Sequence, residues 1–319
     1  MGLAKWILRR LAIFFVSLAL ASVLIFGVGE LLPGDLATVI LGEGATPEAL
    51  QRLREQLGLD RPGVVRYFEW VGGMLTGDFG TSLLSRRPVT EQILMKFPVT
   101  FWLVLLGMLV ALILAVPVGM VAAIRRRHAD GFAASALSQV GLAIPAFWAG
   151  IIGIYLFAVQ LRLLPANGYV PLTSSPLQWL RHLVLPVIAL AIVQAAVIAR
   201  YVRSAIIEVL TEDYYRTARA IGWREFPALI RHGLRNASLS VVTVLGLQFS
   251  TLFVGAIVIE SVFTMPGLGT MLLQAVSQRD MIVVQGTVML LVFIVLVINA
   301  LVDLSYVVLD PRLRSREAS

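Results

Sequence analysis

Residues 99–124 read VTFWLVLLGMLVALILAVPVGMVAAI and are followed at once by three arginines, Arg125, Arg126 and Arg127. No charged side chain interrupts this apolar run. It is longer than the about 20 residues that an α-helix needs to cross a hydrocarbon core of about 30 Å. Because basic residues directly after a span are typical of its cytoplasmic end, the run predicts a transmembrane helix that ends in the cytoplasm.

Five further apolar runs of similar length occur along the chain. The six runs are approximately Leu11–Leu32, Val99–Ile124, Phe132–Val159, Leu183–Arg203, Leu239–Phe263 and Met281–Leu309. Across the 319 residues, 58% are hydrophobic and 14% are charged, which is more apolar surface than a soluble fold of this length can bury. None of the runs alternates apolar and polar residues as the strands of a membrane barrel do. The sequence therefore predicts an all-α polytopic membrane protein with six transmembrane helices.

The basic residues predict the orientation of these spans. Four clusters fall on one side of the six-span arrangement: Lys5 with Arg9 and Arg10, Arg125 to Arg127, seven arginines from Arg200 to Arg235, and Arg312 with Arg314 and Arg316. The short loops of the other side carry only Arg162, Arg181 and Arg279. Because short cytoplasmic loops are enriched in Lys and Arg, both termini are predicted to be cytoplasmic. The net charge of +7 then follows from topology and indicates no nucleic-acid partner.

Changes in composition divide the chain into three parts. Residues 1–32 are predicted to form a cytoplasmic N-terminus and the first span. Residues 33–98 are rich in charges and glycines and are predicted to form an extracytoplasmic subdomain, with helices near Pro47–Leu57 and Pro62–Leu75. Residues 99–319 are predicted to form the core with the other five spans.

The chain lacks the residues that several kinds of functional site require. There is no cysteine, and the three histidines are scattered, so we expect no metal site and no catalytic nucleophile of the thiol type. The only lysines, Lys5 and Lys96, do not follow a glycine, which excludes a phosphate-binding loop that ends in Gly-Lys-Ser/Thr. Carboxylates that could relay protons or ions are nearly absent from the span interiors. We expect no catalytic residue and no enzyme activity in this chain, and an energy source for transport on another protein.

Three polar residues within the spans are candidates for a gate or a translocation pathway: Gln194, Gln248 and Glu260. Glu260 lies near the external end of the fifth run and precedes the turn sequence Pro266-Gly-Leu-Gly269. A carboxylate at the membrane boundary needs a partner or water. Two interpretations are open, a role in holding an external gate and a solvated acid at the interface.

Residues 204–237, between the fourth and fifth runs, are predicted to form two short helices with a hinge. Thr211 is expected to cap the first helix, with acidic residues in the opening turn, and Gly222 is expected to end it in a left-handed conformation. The second helix is expected from Trp223 to about Asn236. Arginines alternate with apolar residues here, so the segment is either a docking site for a partner or an amphipathic helix on anionic headgroups.

The segment Glu212–Gly222, EDYYRTARAIG, and Arg231–Ala237, RHGLRNA, strongly resemble the cytoplasmic coupling loop of the dipeptide, oligopeptide and nickel permease family of ABC importers. Other stretches are similar to the same family in the same order. They are Leu32–Asp35, Leu57–Pro62, Gly77–Ser82, Gly141–Trp148, Leu163–Gly168, Glu260–Phe263 with Pro266–Gly269, and Leu309–Arg312. The early Pro-Gly-Asp and the long first external loop resemble the first, B-type, of the two paralogous permeases.

The resemblance implies a type I ABC importer permease fold in the bacterial cytoplasmic (inner) membrane. It implies four kinds of partner: a paralogous permease, two ABC ATPase subunits, an extracytoplasmic solute-binding protein, and membrane lipid. ATP and Mg would be bound by the ATPases, and no cofactor by this chain. The residues it implies for ATPase contact are Asp213, Tyr214, Arg216, Thr217, Ala218, Arg219 and Gly222.

Peptides are the substrate class that the resemblance favours. Nickel, haem and glutathione are the alternatives within the family, and a secondary transporter or channel is the alternative outside it. The sequence departs from the family pattern at Ile221, where a lysine often precedes the loop glycine. The Glu-Ala-Ala of the wider importer motif is represented here by Arg216-Thr217-Ala218.

Overall fold

The computed structural model describes residues 3–31, 41, 44–57 and 60–309. In chain order the helices are α1 (Leu3–Leu31), α2 (Pro47–Leu57), α3 (Gly63–Leu75), α4 (Val89–Ile124), α5 (Ala129–Ala143), α6 (Ala146–Gly153), α7 (Pro176–Thr211), α8 (Asp213–Ala220), α9 (Glu225–Ala228), α10 (Leu234–Val262), α11 (Leu268–Ser277) and α12 (Met281–Leu309). Two π-helical segments, Ile154–Gln160 and Leu229–Gly233, continue α6 and α9. The described residues contain no β-strand beyond one isolated bridge between Thr81 and Pro88.

Within the described part of the chain, five helices are long and apolar enough to cross a membrane. These spans are Ile7–Leu31, Val89–Ile124, Pro176–Thr211, Val241–Val262 and Met281–Ser305. The third apolar run differs from the others, because α5 and the segment Ala146–Gln160 meet at an angle of 96°. Counted as one broken span, this pair gives the sixth. The all-helical, multi-span prediction is confirmed, and the predicted run Phe132–Val159 forms two helical segments instead of one continuous helix.

The break in the third run lies at Ile144 and Pro145. Ile144 has extended torsion angles, φ −90° and ψ 119°, and Pro145 stands before the first turn of α6. A proline disfavours the helical conformation of the residue before it, so α5 ends where this constraint acts. Pro186, by contrast, lies inside the continuous helix α7. The helix α7 packs against α5, α6 and α10, whose side chains surround it.

The chain forms two compact units, and each of them is discontinuous in sequence. One unit contains Met1–Leu8, Val99–Gly269 and Val297–Ser319, and the other contains Arg9–Pro98 and Thr270–Leu296. The three-part division predicted from composition follows the order of the sequence, whereas these units follow contacts in space. The three-part division therefore stays a prediction.

In the unit that contains Arg9–Pro98, the predicted helices near residues 47–57 and 62–75 are confirmed as α2 and α3. The ring of Phe26 on α1 contacts the rings of Tyr67 and Trp70 on α3, with centroids 5.5 and 5.8 Å away. The Ser82 hydroxyl donates to a carboxylate oxygen of Asp280 at 2.6 Å, just before α12 begins. Residues 32–40 and 310–319, which hold the Pro-Gly-Asp motif and the last basic cluster, lie outside the described residues.

Candidate functional site

The predicted coupling segment is organised around α8, which has an inner and an outer face. Tyr215 and Ala218 form the inner face and are buried. The Tyr215 hydroxyl donates to the backbone oxygen of Glu225 at 3.4 Å. Burial raises the pKa of Tyr215, and the Glu225 carboxylate raises it further while Arg219 lowers it. The phenol therefore stays protonated at neutral pH and keeps its hydrogen to donate.

The end of α8 at Gly222 follows the prediction. Gly222 has φ +97°, its N–H donates to the Arg219 oxygen at 3.1 Å, and the Trp223 N–H donates to the Ala218 oxygen at 3.2 Å. This pair of bonds defines a Schellman motif with glycine in the left-handed position. A Cβ added at Gly222 would meet nothing within 4 Å, so the requirement for glycine comes from the backbone torsion alone.

The start of α8 differs from the prediction. Thr211 is the last residue of α7, and its hydroxyl donates to the Glu208 oxygen at 2.7 Å instead of capping the next helix. Glu212 occupies the cap position without a side-chain cap bond. The cap assignment to Thr211 is wrong because a threonine hydroxyl can bond back to its own preceding turn. The second predicted helix also begins later, at Glu225, and runs through a π-helical turn into α10.

The outer side of the coupling segment combines charges with exposed apolar side chains. Asp213, Arg216, Thr217 and Arg219 of α8 are exposed, and Tyr214 is half-buried. Beyond Gly222 the side chains of Phe226 and Ile230 are also exposed, and Ile221 is 72% exposed. We call Asp213, Arg216, Thr217, Arg219, Ile221, Phe226 and Ile230 the docking face. Apolar side chains grouped with charges on a surface are typical of a protein interaction site.

Two hydrogen bonds and one cation–π contact position side chains in and beside the docking face. The Thr217 hydroxyl donates to the Asp213 oxygen at 2.9 Å. The Arg219 guanidinium donates to the Trp223 oxygen at 2.7 Å, which adds a side-chain bond to the Schellman turn. The guanidinium of Arg231 lies 5.4 Å from the centre of the Trp223 ring, within the range of a cation–π contact.

Glu260, the predicted gate residue, is fully buried. The Thr100 hydroxyl on α4 donates to its carboxylate at 2.5 Å, and the Leu268 N–H donates to the Thr100 oxygen at 2.8 Å. Gly267 and Gly269 lie against the same carboxylate: a Cβ at Gly269 would be 2.9 Å from it, and one at Gly267 would overlap it. We call these five residues the Glu260 clasp. The interpretation of Glu260 as a solvated interfacial acid is wrong, since protein atoms surround it.

The turn after Glu260 contains a strained residue. Thr264 has φ +51°, its N–H donates to the Ser261 oxygen at 3.4 Å, and the Met265 N–H donates to the Glu260 oxygen at 2.8 Å. This is the same terminal arrangement as at Gly222, but with a β-branched residue in the left-handed position. The neighbouring Phe263 oxygen accepts a bond from the Gly168 N–H at 2.9 Å, which connects this turn to the loop before α7.

Gln194 and Gln248 are brought together through Thr251. The Gln194 amide donates to the Thr251 hydroxyl at 3.1 Å, and that hydroxyl donates to the Gln248 backbone oxygen at 2.9 Å. Both glutamines are buried between α7 and α10 of this chain, so here they link two spans. The Gln194 side-chain oxygen is buried with no hydrogen-bond partner among the described residues.

Sequence reasoning missed the two threonines that complete these sites. Thr251 had a local signal, because it stands three positions after Gln248 and so shares a helix face with it. Thr100 had none, since it precedes Glu260 by 160 positions. Among the described residues no group of three or more His, Asp or Glu side chains is placed to hold a metal ion.

Comparison with known proteins adds the following relations. Residues 115–315 match the family described as binding-protein-dependent transport system inner membrane component, and residues 3–104 match its N-terminal family. The chain is 42% identical over 308 residues to a putative peptide transport system permease protein of Brucella abortus (strain 2308), covering 97% of this chain and 98% of the relative. It is 40% identical over 310 residues to the glutathione transport system permease protein of Salmonella typhi, covering 97% and 99%.

One solved structure has a similar fold. It is titled as the crystal structure of an amino acid ABC transporter with histidines, and it aligns with a TM-score of 0.50 at 19% identity. The alignment covers 67% of this chain and 92% of that chain. At this level of identity the similarity concerns the fold alone.

Proposed function

Because this chain belongs to the family of inner membrane components of binding-protein-dependent transport systems, we propose that it carries peptides across the bacterial inner membrane. It is a multi-pass permease subunit of an ABC importer, and it forms the translocation pathway with a second, paralogous permease. The observation that carries the peptide assignment is the 42% identity, over nearly the whole chain, to a permease named for peptide transport.

Glutathione is the second candidate substrate. Relatives at 40% identity are named for its transport, and glutathione is itself a tripeptide. The two candidates therefore share a chemical class, a short peptide with charged ends. A secondary transporter is not favoured, because the family that the chain matches is described by binding-protein-dependent transport and not by ion-coupled transport.

We assign the docking face to contact with an ATPase subunit that binds ATP and Mg. Support comes from its exposed apolar side chains and from the Schellman turn, which holds α8 at a fixed length. Ala218 and Tyr215 are buried in this chain, so we assign them to the packing of α8 against its own chain and not to the contact with the ATPase. The other partners in this proposal are a paralogous permease, a second ATPase and an extracytoplasmic solute-binding protein.

The same proposal places both termini in the cytoplasm. Arg125, Arg126 and Arg127 follow α4 directly and are exposed, as expected for a cytoplasmic loop. The docking face lies two spans later along the chain, which returns it to the same side of the membrane.

An exposed residue tests the docking assignment without disturbing the fold. Ile221→Asp puts a charge into the proposed contact, and no internal packing is lost because the side chain is 72% exposed. The variant is expected to lose co-purification of the ATPase and to lose peptide-stimulated ATP hydrolysis in proteoliposomes. Leu172→Asp, in the loop before α7, is the matched control and should retain the ATPase. Retention of the ATPase by Ile221→Asp would contradict the assignment.

The substrate is tested in the same proteoliposomes with the solute-binding protein present. Dipeptides, tripeptides, glutathione, Ni²⁺ and haem are compared as stimulants of ATP hydrolysis and as transported species. Stimulation by peptides is expected. Stimulation by Ni²⁺ or haem alone would overturn the peptide assignment while leaving the permease assignment intact.

A further inference from the structure

A cavity of about 410 Å³ lies between α1, α3 and α12, within the unit that contains Arg9–Pro98 and Thr270–Leu296. Its wall is apolar on all three helices. Representative wall residues are Phe15 and Leu18 of α1, Val71 and Met74 of α3, and Met289 and Phe293 of α12. The volume lies within the range of about 300–1,000 Å³ that is typical of small-molecule sites.

The polar groups of the wall are already satisfied by each other. The Ser22 hydroxyl donates to the Ala19 oxygen at 2.8 Å, so its one hydrogen is used. Its oxygen, 2.8 Å from the Tyr67 hydroxyl, therefore accepts the hydrogen of Tyr67. None of the described residues that line the cavity is charged. A peptide or an ion would lose its hydration here without compensation, so the occupant must be apolar.

The cavity is continuous with the surface that the spans present to lipid. Two of its walls belong to the candidate spans Ile7–Leu31 and Met281–Ser305. Phe15 and Leu75, which line it, are also 62% and 83% exposed, so they form its rim. In a bilayer such exposed apolar side chains on a span contact acyl chains.

The exposed side of α3 extends the same apolar surface. Val64 and Phe68 are exposed, like Leu75. Phe68 follows Val64 by four positions and precedes Leu75 by seven, so the three side chains lie on one face of α3. Arg66 of α3 forms an ion pair with Glu30 at 2.8 Å, near the end of the first span. Basic residues near span ends occupy the headgroup region, so α3 begins at that level with an apolar face toward lipid.

We propose that this cavity binds an acyl chain of a bilayer phospholipid, which packs among α1, α3 and α12. The ligand enters from the membrane past Phe15 and Leu75 and carries its headgroup at the bilayer surface. The site is separate from the docking face and from the Glu260 clasp, and it does not depend on which solute is transported.

The test uses the complete importer in nanodiscs that contain a phosphatidylethanolamine with a photoreactive diazirine on one acyl chain. Irradiation is expected to label peptides that contain Val71 and Met74, and Met289 and Phe293, above the level of other apolar surfaces. Ala19→Trp fills the cavity from α1 and is expected to remove these adducts. Ala12→Trp, on the same helix and exposed but outside the cavity, is the matched control and should be labelled like the parent protein.

Three results would overturn the proposal. One is uniform labelling of all exposed span surfaces, and another is unchanged labelling of the cavity peptides in Ala19→Trp. The third is an absence of lipid adducts on the cavity peptides of the parent protein, which would show that no acyl chain occupies the cavity. Elution volume and ATPase co-purification of both tryptophan variants establish that the complexes are intact.

Discussion

The carboxylate of Glu260 is buried in a span yet held by short hydrogen bonds. One threonine hydroxyl serves two groups, since Thr100 donates to Glu260 and accepts from the Leu268 N–H. Removing one partner of a buried polar group costs about 1–3 kcal/mol, and more when that group is charged. The hydroxyl group of Thr100 on α4 therefore contributes to the stability of the turn that follows α10.

Replacing Thr100 by valine tests this dependence. Thr100→Val keeps the shape but removes the hydroxyl that donates to the carboxylate and accepts from the Leu268 N–H, so we expect a loss of about 2 kcal/mol in the free energy of unfolding. Thr100→Ser keeps the hydroxyl and should lose much less. SDS-induced unfolding of the purified permease measures both variants, and equal losses would show that the hydroxyl is not the stabilising group.

At Thr264 we expect a substitution to stabilise the permease, because the backbone of this residue is strained. A β-branched residue at φ +51° costs about 1–2 kcal/mol relative to glycine. Thr264→Gly should therefore stabilise the permease by about 1 kcal/mol, after the entropy that glycine adds to the unfolded chain. Thr173→Gly, at a loop position without a positive φ, should destabilise it. If Thr264→Gly is less stable than the parent protein, the strain is absent.

At this scale the sequence identified Glu260, Gln194 and Gln248 but not Thr100 and Thr251, the two threonines that bond to them. Glu260 was found because a carboxylate near a span is rare, and its turn because Pro266-Gly-Leu-Gly269 is a turn sequence. Its partner Thr100 could not be found, because a hydroxyl residue within an apolar run is common and the contact joins distant positions. Burial, which excludes the solvated acid, is a tertiary property, and the role of Glu260 in a gate stays a prediction.

The short helix α8 is fixed at its end by the Schellman turn at Gly222. Gly222→Val would place a β-branched residue at φ +97°, where no side-chain clash occurs, and should weaken the Schellman turn by about 1–2 kcal/mol. Substrate-stimulated ATP hydrolysis is expected to fall while membrane insertion stays normal.

Gly222→Asn is the matched control for this change. Asparagine enters the left-handed region more readily than valine, so it should retain more of the stimulated hydrolysis. If asparagine and valine are equally harmful, the loss comes from the side chain at the ATPase contact. If neither is harmful, the Schellman turn at Gly222 is not needed for coupling to the ATPase.

Elements were predictable where length and composition decide the structure. The apolar runs became helices because hydrocarbon leaves the backbone no other way to satisfy its polar groups. The break at Pro145 was recognisable as a proline position but not as a 96° bend, because Pro186 lies in a helix that continues. The packing around Pro145 differs from that around Pro186, and packing cannot be read from the sequence. The Thr211 cap failed for a related reason, since a threonine hydroxyl can either accept from an N–H of the following helix or donate to a carbonyl of its own preceding turn.

The topology of the whole molecule is open to labelling, because the chain has no native cysteine. Ser174 lies between the third run and α7, Ala129 begins α5, and both are exposed. A membrane-impermeant maleimide should label Ser174→Cys in intact spheroplasts and Ala129→Cys only after permeabilisation. The reverse pattern would invert the orientation, and equal labelling of both would remove a span between them.

The discontinuous units have a consequence for synthesis. Thr100 and Glu260 are 160 positions apart, and Ser82 and Asp280 are 198 apart, so each unit is joined by a bond between an early and a late part of the chain. A ribosome that adds about 5–20 residues per second needs on the order of 10–30 s to make the first of these intervals. During that time Thr100 and Ser82 are in place before the carboxylates of Glu260 and Asp280, to which their hydroxyls donate, have been made. A nascent chain stalled before Glu260 would therefore be inserted yet unfinished, and it would expose its early spans to membrane proteases and insertion chaperones.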